Sequence, residues 1–152
     1  MGHPPRTPVS SVVASEAVVT TMAAQQGLIR TSQLIQLAAD RAELRRWTRR
    51  LRRLTSSVYG DPSDPDPLIV HRAVLMCLPG VVFRARTALV LHRIPHVEGP
   101  ARLQVYVDQR CDASDRPELE VRRTELARPS RTDVEGFPVV SPAARPWTWF
   151  AS

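Results

Sequence analysis

Over the first sixty positions, apolar residues recur at helical spacing in three short bursts and then switch to a two-residue alternation. In the first burst, Val12, Ala14 or Ser15, Val18, Val19, Met22 and Ala23 form the inward stripe of a helix that opens at Ser10 or Ser11, runs to Gln26 and is closed by Gly27. Val12, Val13, Val18, Val19, Thr20 and Thr21 are β-branched and each cost about a few tenths of a kcal/mol in a helix, so packing must hold this one. A second helix follows from Thr31 as N-cap through Ala39, with Leu34, Ile35 and Ala38 on one side. Asp40 and Glu43 form an acidic capping box for a third helix that begins at Arg41.

At about 100° per residue, Leu44, Trp47, Leu51 and Leu54 fall on one arc of the third helix. Arg41, Arg45, Arg46, Arg49, Arg50, Arg52 and Arg53 occupy the other. Periodicity alone allows the helix to run to Leu54 or to stop near Arg50; the favoured reading is the second, with Leu51 to Thr55 and Val58-Tyr59-Gly60 as the two strands of a hairpin and Ser56-Ser57 at its tip. Asp61-Pro62-Ser63-Asp64-Pro65-Asp66-Pro67 reads as a linker by composition.

Beyond it the pattern predicts a helix over 68–78 and another over 84–92. A strand is expected over 103–107, a partner strand over 118–123, and a third over 136–140. The predicted class is α+β. Residues 10–60 form an N-terminal winged helix-turn-helix, 61–67 a linker, 68–145 a small α+β unit, and 146–152 an aromatic tail. Trp147, Trp149 and Phe150 in that tail are expected to dock a partner or to mediate self-association, since rings of this size left uncovered mark an interface.

Charge sharpens this picture. All 21 basic side chains are arginine, there is no lysine, and the net charge is +6. A Walker-A phosphate loop, a Schiff-base lysine and the lysine of a PD-(D/E)XK nuclease core are thereby excluded in their ordinary forms. Seven of the arginines lie between positions 40 and 53, against only Asp40 and Glu43. Three short helices, an arginine-faced third helix and a following hairpin are the order in which a helix enters the major groove of DNA while the wing meets the backbone. The residues expected to contact DNA are Thr31, Ser32, Arg41, Arg45, Arg46, Arg49, Arg50, Arg52, Arg53 and Tyr59. An RNA- or protein-binding module is the competing reading of the same charge.

Catalytic and metal chemistry find less support. His92 and His96 have the spacing of a zinc half-site, with Cys77 and Cys111 as further ligands, but Pro95 breaks the helix that would hold both imidazoles. Asp108, Asp112, Asp115, Glu118 and Glu120 read as a solvated acidic loop rather than a nuclease carboxylate set, and no nucleophile pairing stands out. No enzyme activity, cofactor or metal is expected. The longest uncharged stretch, Ala17 to Ile29, is thirteen residues, and Ala73 to Phe83 is eleven, against the ~20 that span a bilayer. No signal peptide is evident and the cysteines do not suggest a disulfide framework, so a cytoplasmic location is expected.

Several segments together resemble the AbiEi-type antitoxins of bacterial abortive-infection, type IV toxin–antitoxin systems, in particular actinobacterial members. They are Gln26-Gly27-Leu28-Ile29-Arg30-Thr31-Ser32-Gln33-Leu34, Leu44-Arg45-Arg46-Trp47, Val58-Tyr59-Gly60, and Glu135-Gly136-Phe137-Pro138-Val139-Val140-Ser141-Pro142-Ala143. The chain departs from that group at Arg49-Arg50-Leu51 and Ser57, where glycines usually flank the wing. It also ends where members continue into a C-terminal domain, so a naturally short or truncated form is expected. The resemblance implies a DNA-binding autorepressor with a functional link to a nucleotidyltransferase-like toxin, or a remnant that has lost antitoxin activity.

Overall fold

The first helix, α1 (Thr7–Ala24), begins three residues earlier than expected, with Pro8 in its first turn where no N–H partner is needed. The computed structural model describes residues 7–125 and 131–141. The aromatic tail therefore lies outside the described residues, as do the side chains of Val12, Ala14 and Ser15. The chain is α+β and divides into two units, Met1–Cys77 and Leu78–Ser152.

In the first unit α1 is followed by β1 (Leu28–Arg30), α2 (Thr31–Leu37), α3 (Arg41–Arg50), β2 (Arg52–Arg53), β3 (Val58–Gly60) and α4 (Ile69–Cys77). The strands form an antiparallel sheet in the order β1-β3-β2, with Leu28 opposite Gly60 and Arg53 opposite Tyr59. Strand β1 was not expected from the sequence. Three residues are too few to show a period, and this strand exists because β3 supplies its ladder. Gln26 and Gly27 adopt φ of 59° and 83°, and the Gly27 N–H donates to Met22 O at 2.7 Å, which turns the chain from α1 into β1.

The sheet is buried on both faces by the alternation of its side chains. Leu28 and Val58 face a cluster with Leu54, Ile69 and Ala73, against which Val70, Met76 and Cys77 pack. Ile29 faces the helices with Val18, Leu34 and Trp47, bordered by Met22, Leu37, Leu44, Leu51 and Tyr59. Gly60 allows this close packing, because a Cβ there would lie 2.8 Å from Leu54 Cδ1. Of the expected core residues that lie outside it, Val19 is 60% exposed and Ile35 57%. Among the described residues of α1, Val18 and Met22 pack in the cluster with Ile29, and Val19 borders an open cavity of about 710 Å³ beside Trp47. Ala23 is likewise exposed, and Leu54 follows the end of α3 and joins the α4 cluster instead of the Trp47 cluster.

The segment 61–67 is a strap of the first unit, built from successive Asx turns. Asp61 Oδ1 accepts from Ser63 N at 2.8 Å, Asp64 Oδ1 from Asp66 N at 2.9 Å, and Asp66 Oδ1 from Leu68 N at 2.9 Å. Hydrogen bonds from the Ser63 hydroxyl and then its N–H hold the Asp61 carboxyl below its ordinary value. Proline and aspartate, which read as linker composition, here place three carboxylates two residues ahead of waiting N–H groups. The strap feeds α4, which the sequence assigned to the second unit and whose apolar face packs within the first.

The second unit contains β4 (Val82–Phe83), α5 (Ala85–Leu91), β5 (Leu103–Val107), β6 (Leu119–Arg123), β7 (Arg131–Val134) and β8 (Phe137–Val140). Among the described residues these strands form one mixed sheet, β6-β5-β4-β8-β7, in which β5 and β6 run parallel with Leu103 opposite Leu119. Arg84, fully buried before α5, lies with its guanidinium carbon 5.1 Å from the Tyr106 ring centroid and Nη1 3.6 Å from Glu120 Oε1. Its N–H donates to Gln104 O, and Gln104 Oε1 accepts from Arg86 N, so α5 is fastened to β5.

Two measurements test this packing. Trp47→Ala should destabilise the fold by about 3–5 kcal/mol through the cavity left in the helix cluster, read by denaturant unfolding. His71, buried on α4, has its imidazole pushed down by burial from 6.5 to about 4. The unfolded chain takes up a proton near 6.5 that the folded chain refuses until about 4. Stability is therefore at its full value above that window and falls as pH drops through it. At about 1.4 kcal/mol per unit, the loss is on the order of 3 kcal/mol. The unfolding midpoint should fall between pH 7 and 4 in the parent and fall distinctly less in His71→Leu.

Candidate nucleic-acid interface

The start of α3 uses both acidic side chains of the arginine-rich segment for hydrogen bonds to backbone. Asp40 Oδ1 accepts from Glu43 N at 2.8 Å, and Glu43 Oε2 accepts from Ala39 N at 3.4 Å. Glu43 is 2% exposed and faces inward, so it neutralises none of the arginines by an ion pair. The helix is closed by Leu51 N donating to Trp47 O at 2.9 Å, and Arg49 and Arg50 in its last turn suit the negative end of the helix dipole. Trp47, 7% exposed, holds one side of α3 against the cluster. Arg41, Ala42, Arg45, Arg46 and Arg49 are therefore all exposed.

The seven arginines divide by what their side chains touch. The Arg50 guanidinium carbon lies 5.1 Å from the Trp47 ring centroid, in cation–π range. Arg53 closes the hairpin turn, donating from Nε to Thr55 O at 3.3 Å and from Nη2 to Ser56 O at 3.1 Å. The side chains of Arg41, Arg45, Arg46, Arg49 and Arg52 make no hydrogen bond or ion pair among the described residues. Four of these five share one face of α3, and Arg52 stands on β2 immediately after it.

The remaining expected contact residues are placed differently. Ser32 is exposed in the first turn of α2. Thr31 is not the N-cap of α2; Arg30 is, and Gln33 Oε1 accepts from Arg30 N at 3.0 Å. The Thr31 hydroxyl is buried with no hydrogen-bond partner among the described residues, and the Thr31 backbone N–H donates to Ser57 O at 2.8 Å, tying α2 to the hairpin turn. Tyr59 lies half-buried on the central strand β3 and packs against the Trp47 cluster.

The hairpin is also held from behind. Cys77 Sγ lies 3.3 Å from Thr55 Oγ1 and 3.2 Å from Ser57 Oγ, while Arg30 Nη2 donates to Met76 O at 3.1 Å. The end of α4 thus anchors both the hairpin turn and the start of α2. Arg30 and Cys77 were not singled out as positioning residues from the sequence, because their partners are 46 and 20–22 positions away.

The other chemical candidates disperse. His92 Nε2 pairs with Val140 O at 3.0 Å; Asp108 Oδ1 accepts from Arg110 N and Asp115 Oδ1 from Val121 N. Among the described residues no three His, Cys, Asp or Glu side chains group as a metal site. No helix there is long and apolar enough to cross a membrane.

No family model matches the sequence, and no curated protein matches it. Among solved structures the chain is similar to the RV2827C protein from Mycobacterium tuberculosis. The two are 16% identical with a TM-score of 0.52, over 83% of this chain and 48% of that one. The chain thus spans about half the length of that structure, and the likeness is one of fold.

The division among arginines predicts two classes of substitution. Arg53→Ala removes two hydrogen bonds to turn carbonyls and should lower stability by about 0.5–1.5 kcal/mol. Arg45→Ala and Arg49→Ala should leave it within about 0.5 kcal/mol. Thermal unfolding of the three variants beside the parent checks this, and equal losses in all three would contradict the division.

Proposed function

We propose that the first unit is a winged helix-turn-helix that binds duplex DNA, with α2 and α3 as the helix pair, α3 in the major groove and the β2–β3 hairpin as the wing. The observation that carries this reading is the row of exposed side chains of Arg41, Arg45, Arg46 and Arg49 on α3, without a hydrogen bond or ion pair among the described residues and set beside Arg52 of the hairpin. Supporting it, the connection between α2 and α3 is only Ala38-Ala39-Asp40, the length of a helix-turn-helix turn. A ten-residue helix, about 15 Å long, suits the ~12 Å wide major groove of B-DNA, whereas the deep, narrow major groove of A-form RNA does not admit it. Guanidinium groups with no intramolecular partner are available to phosphates and base edges without first breaking a bond.

By its resemblance to the AbiEi-type antitoxins, the chain acts on this reading as a cytoplasmic, non-enzymatic repressor of its own promoter. Any toxin linked to it is of the nucleotidyltransferase-like kind. The test is a titration of the full chain against duplex DNA at several salt concentrations. With Arg45, Arg46 and Arg49 all changed to Ala, the fold should persist, since alanine is the better helix former. Binding should weaken, and the slope of log K against log salt should flatten by roughly 0.9 for each lost phosphate contact. An unchanged slope in the folded triple variant would overturn the assignment, and preference for RNA over duplex DNA would favour the competing module.

A further inference from the structure

Among the fully exposed residues of α3, Ala42 alone is not an arginine. Ala42, Arg45, Arg46 and Arg49 stand at i, i+3, i+4 and i+7, which places them in one stripe along the helix. All four are exposed. A face that served only to neutralise phosphates would gain from a cation at every position of this stripe. Instead its N-terminal member is the smallest side chain with a Cβ, and the N-terminal part of such a helix is the part that meets base edges. A methyl there lets the helix backbone approach the groove floor, and Arg45 and Arg46, one turn on, pass on either side of it.

Resting on the DNA-binding reading above, we propose that Ala42 is a specificity-determining residue. Through it α3 recognises a short, guanine-rich duplex segment with a thymine at a fixed position, the Ala42 methyl meeting the thymine methyl. Apolar contact with that methyl is the recognition chemistry open to alanine in the major groove, as the guanine O6/N7 pair is for arginine. At about 1.5 Å of rise per residue, Arg45 and Arg46 lie roughly 4.5–6 Å beyond Ala42 along the helix axis and Arg49 roughly 10 Å beyond it. At about 3.4 Å per base step, these distances place the guanines one to two steps and about three steps from the thymine. Glu43, turned into the core, presents no acceptor for a cytosine amino group, which leaves guanine as the base this stripe reads.

The experiment is selection from a pool of randomised duplexes with the full chain and with Ala42→Leu. Leucine keeps helix propensity at an exposed site, and unfolding curves check that the variant folds. The parent should enrich a guanine-rich motif with one fixed thymine. Ala42→Leu should bind the selected duplex roughly ten- to a hundredfold more weakly and lose the preference for the fixed thymine. Equal affinity of parent and variant for the selected duplex, or the same motif enriched by both, would overturn the proposal. A parent that binds duplexes with a steep salt dependence yet enriches no motif would overturn it and leave the DNA reading standing. A parent that binds no duplex would overturn both.

Discussion

The burial of one indole sets the orientation of the helix on which the proposed function rests. Trp47 is 7% exposed, in a cluster with Val18, Ile29 and Leu34, each of which is fully buried. A side chain of this kind buries about 150–250 Å², which at about 25 cal/mol per Å² is on the order of 4–6 kcal/mol. Against it stand like-charge pairs at i, i+4 along α3, Arg41 with Arg45, Arg45 with Arg49 and Arg46 with Arg50, each costing about 0.2–0.5 kcal/mol. The indole wins by several-fold. Arginine repulsion can therefore be concentrated on one face without rotating or melting the helix, and the helix cannot relieve it by turning that face inward.

A rigid frame around the hairpin does the corresponding work for β2 and β3. A hairpin of a two-residue strand paired with a three-residue strand is marginal by itself, since isolated hairpins are barely stable in water. Here β3 is the middle strand of three, its two faces are covered by the Trp47 cluster and by α4, and the turn is gripped by Arg53, Thr31 and Cys77. The Asx-turn strap is what delivers α4 to that position. Two guanidiniums of the basic segment are occupied in the process, Arg53 on turn carbonyls and Arg50 over Trp47, so charge and architecture draw on the same residue type.

What could be read from the sequence follows from the range of the forces involved. The third helix, its Asp40 cap, the hairpin with Ser56-Ser57 in its turn, and the strands at 103–107, 119–123 and 137–140 are local patterns of period or capping, and they stand where expected. Strands β1 and β4 are three and two residues long, below the length at which alternation is visible, and depend on neighbours remote in sequence. The strap was read as a linker because proline content masks the aspartate-to-amide spacing. Within the arginine set, periodicity places Arg45, Arg46 and Arg49 in the middle of the polar arc but does not tell which guanidiniums are engaged. The fold separates Arg41, Arg45, Arg46, Arg49 and Arg52, which make no hydrogen bond or ion pair among the described residues, from Arg50 and Arg53, which are used internally. Buried Arg84 lay outside that set, since its partners Glu120 and Tyr106 are distant in the chain.

The central claim is that duplex DNA is bound by the outward face of α3. The most direct measurement follows the arginine side-chain Nε–Hε signals of the full chain by nuclear magnetic resonance during titration with a short duplex. Signals of Arg45, Arg46 and Arg49 should shift along one saturable curve, while that of buried Arg84 stays near its position in the unbound chain. A saturable shift in Arg84 with none in Arg45, Arg46 and Arg49 would contradict it.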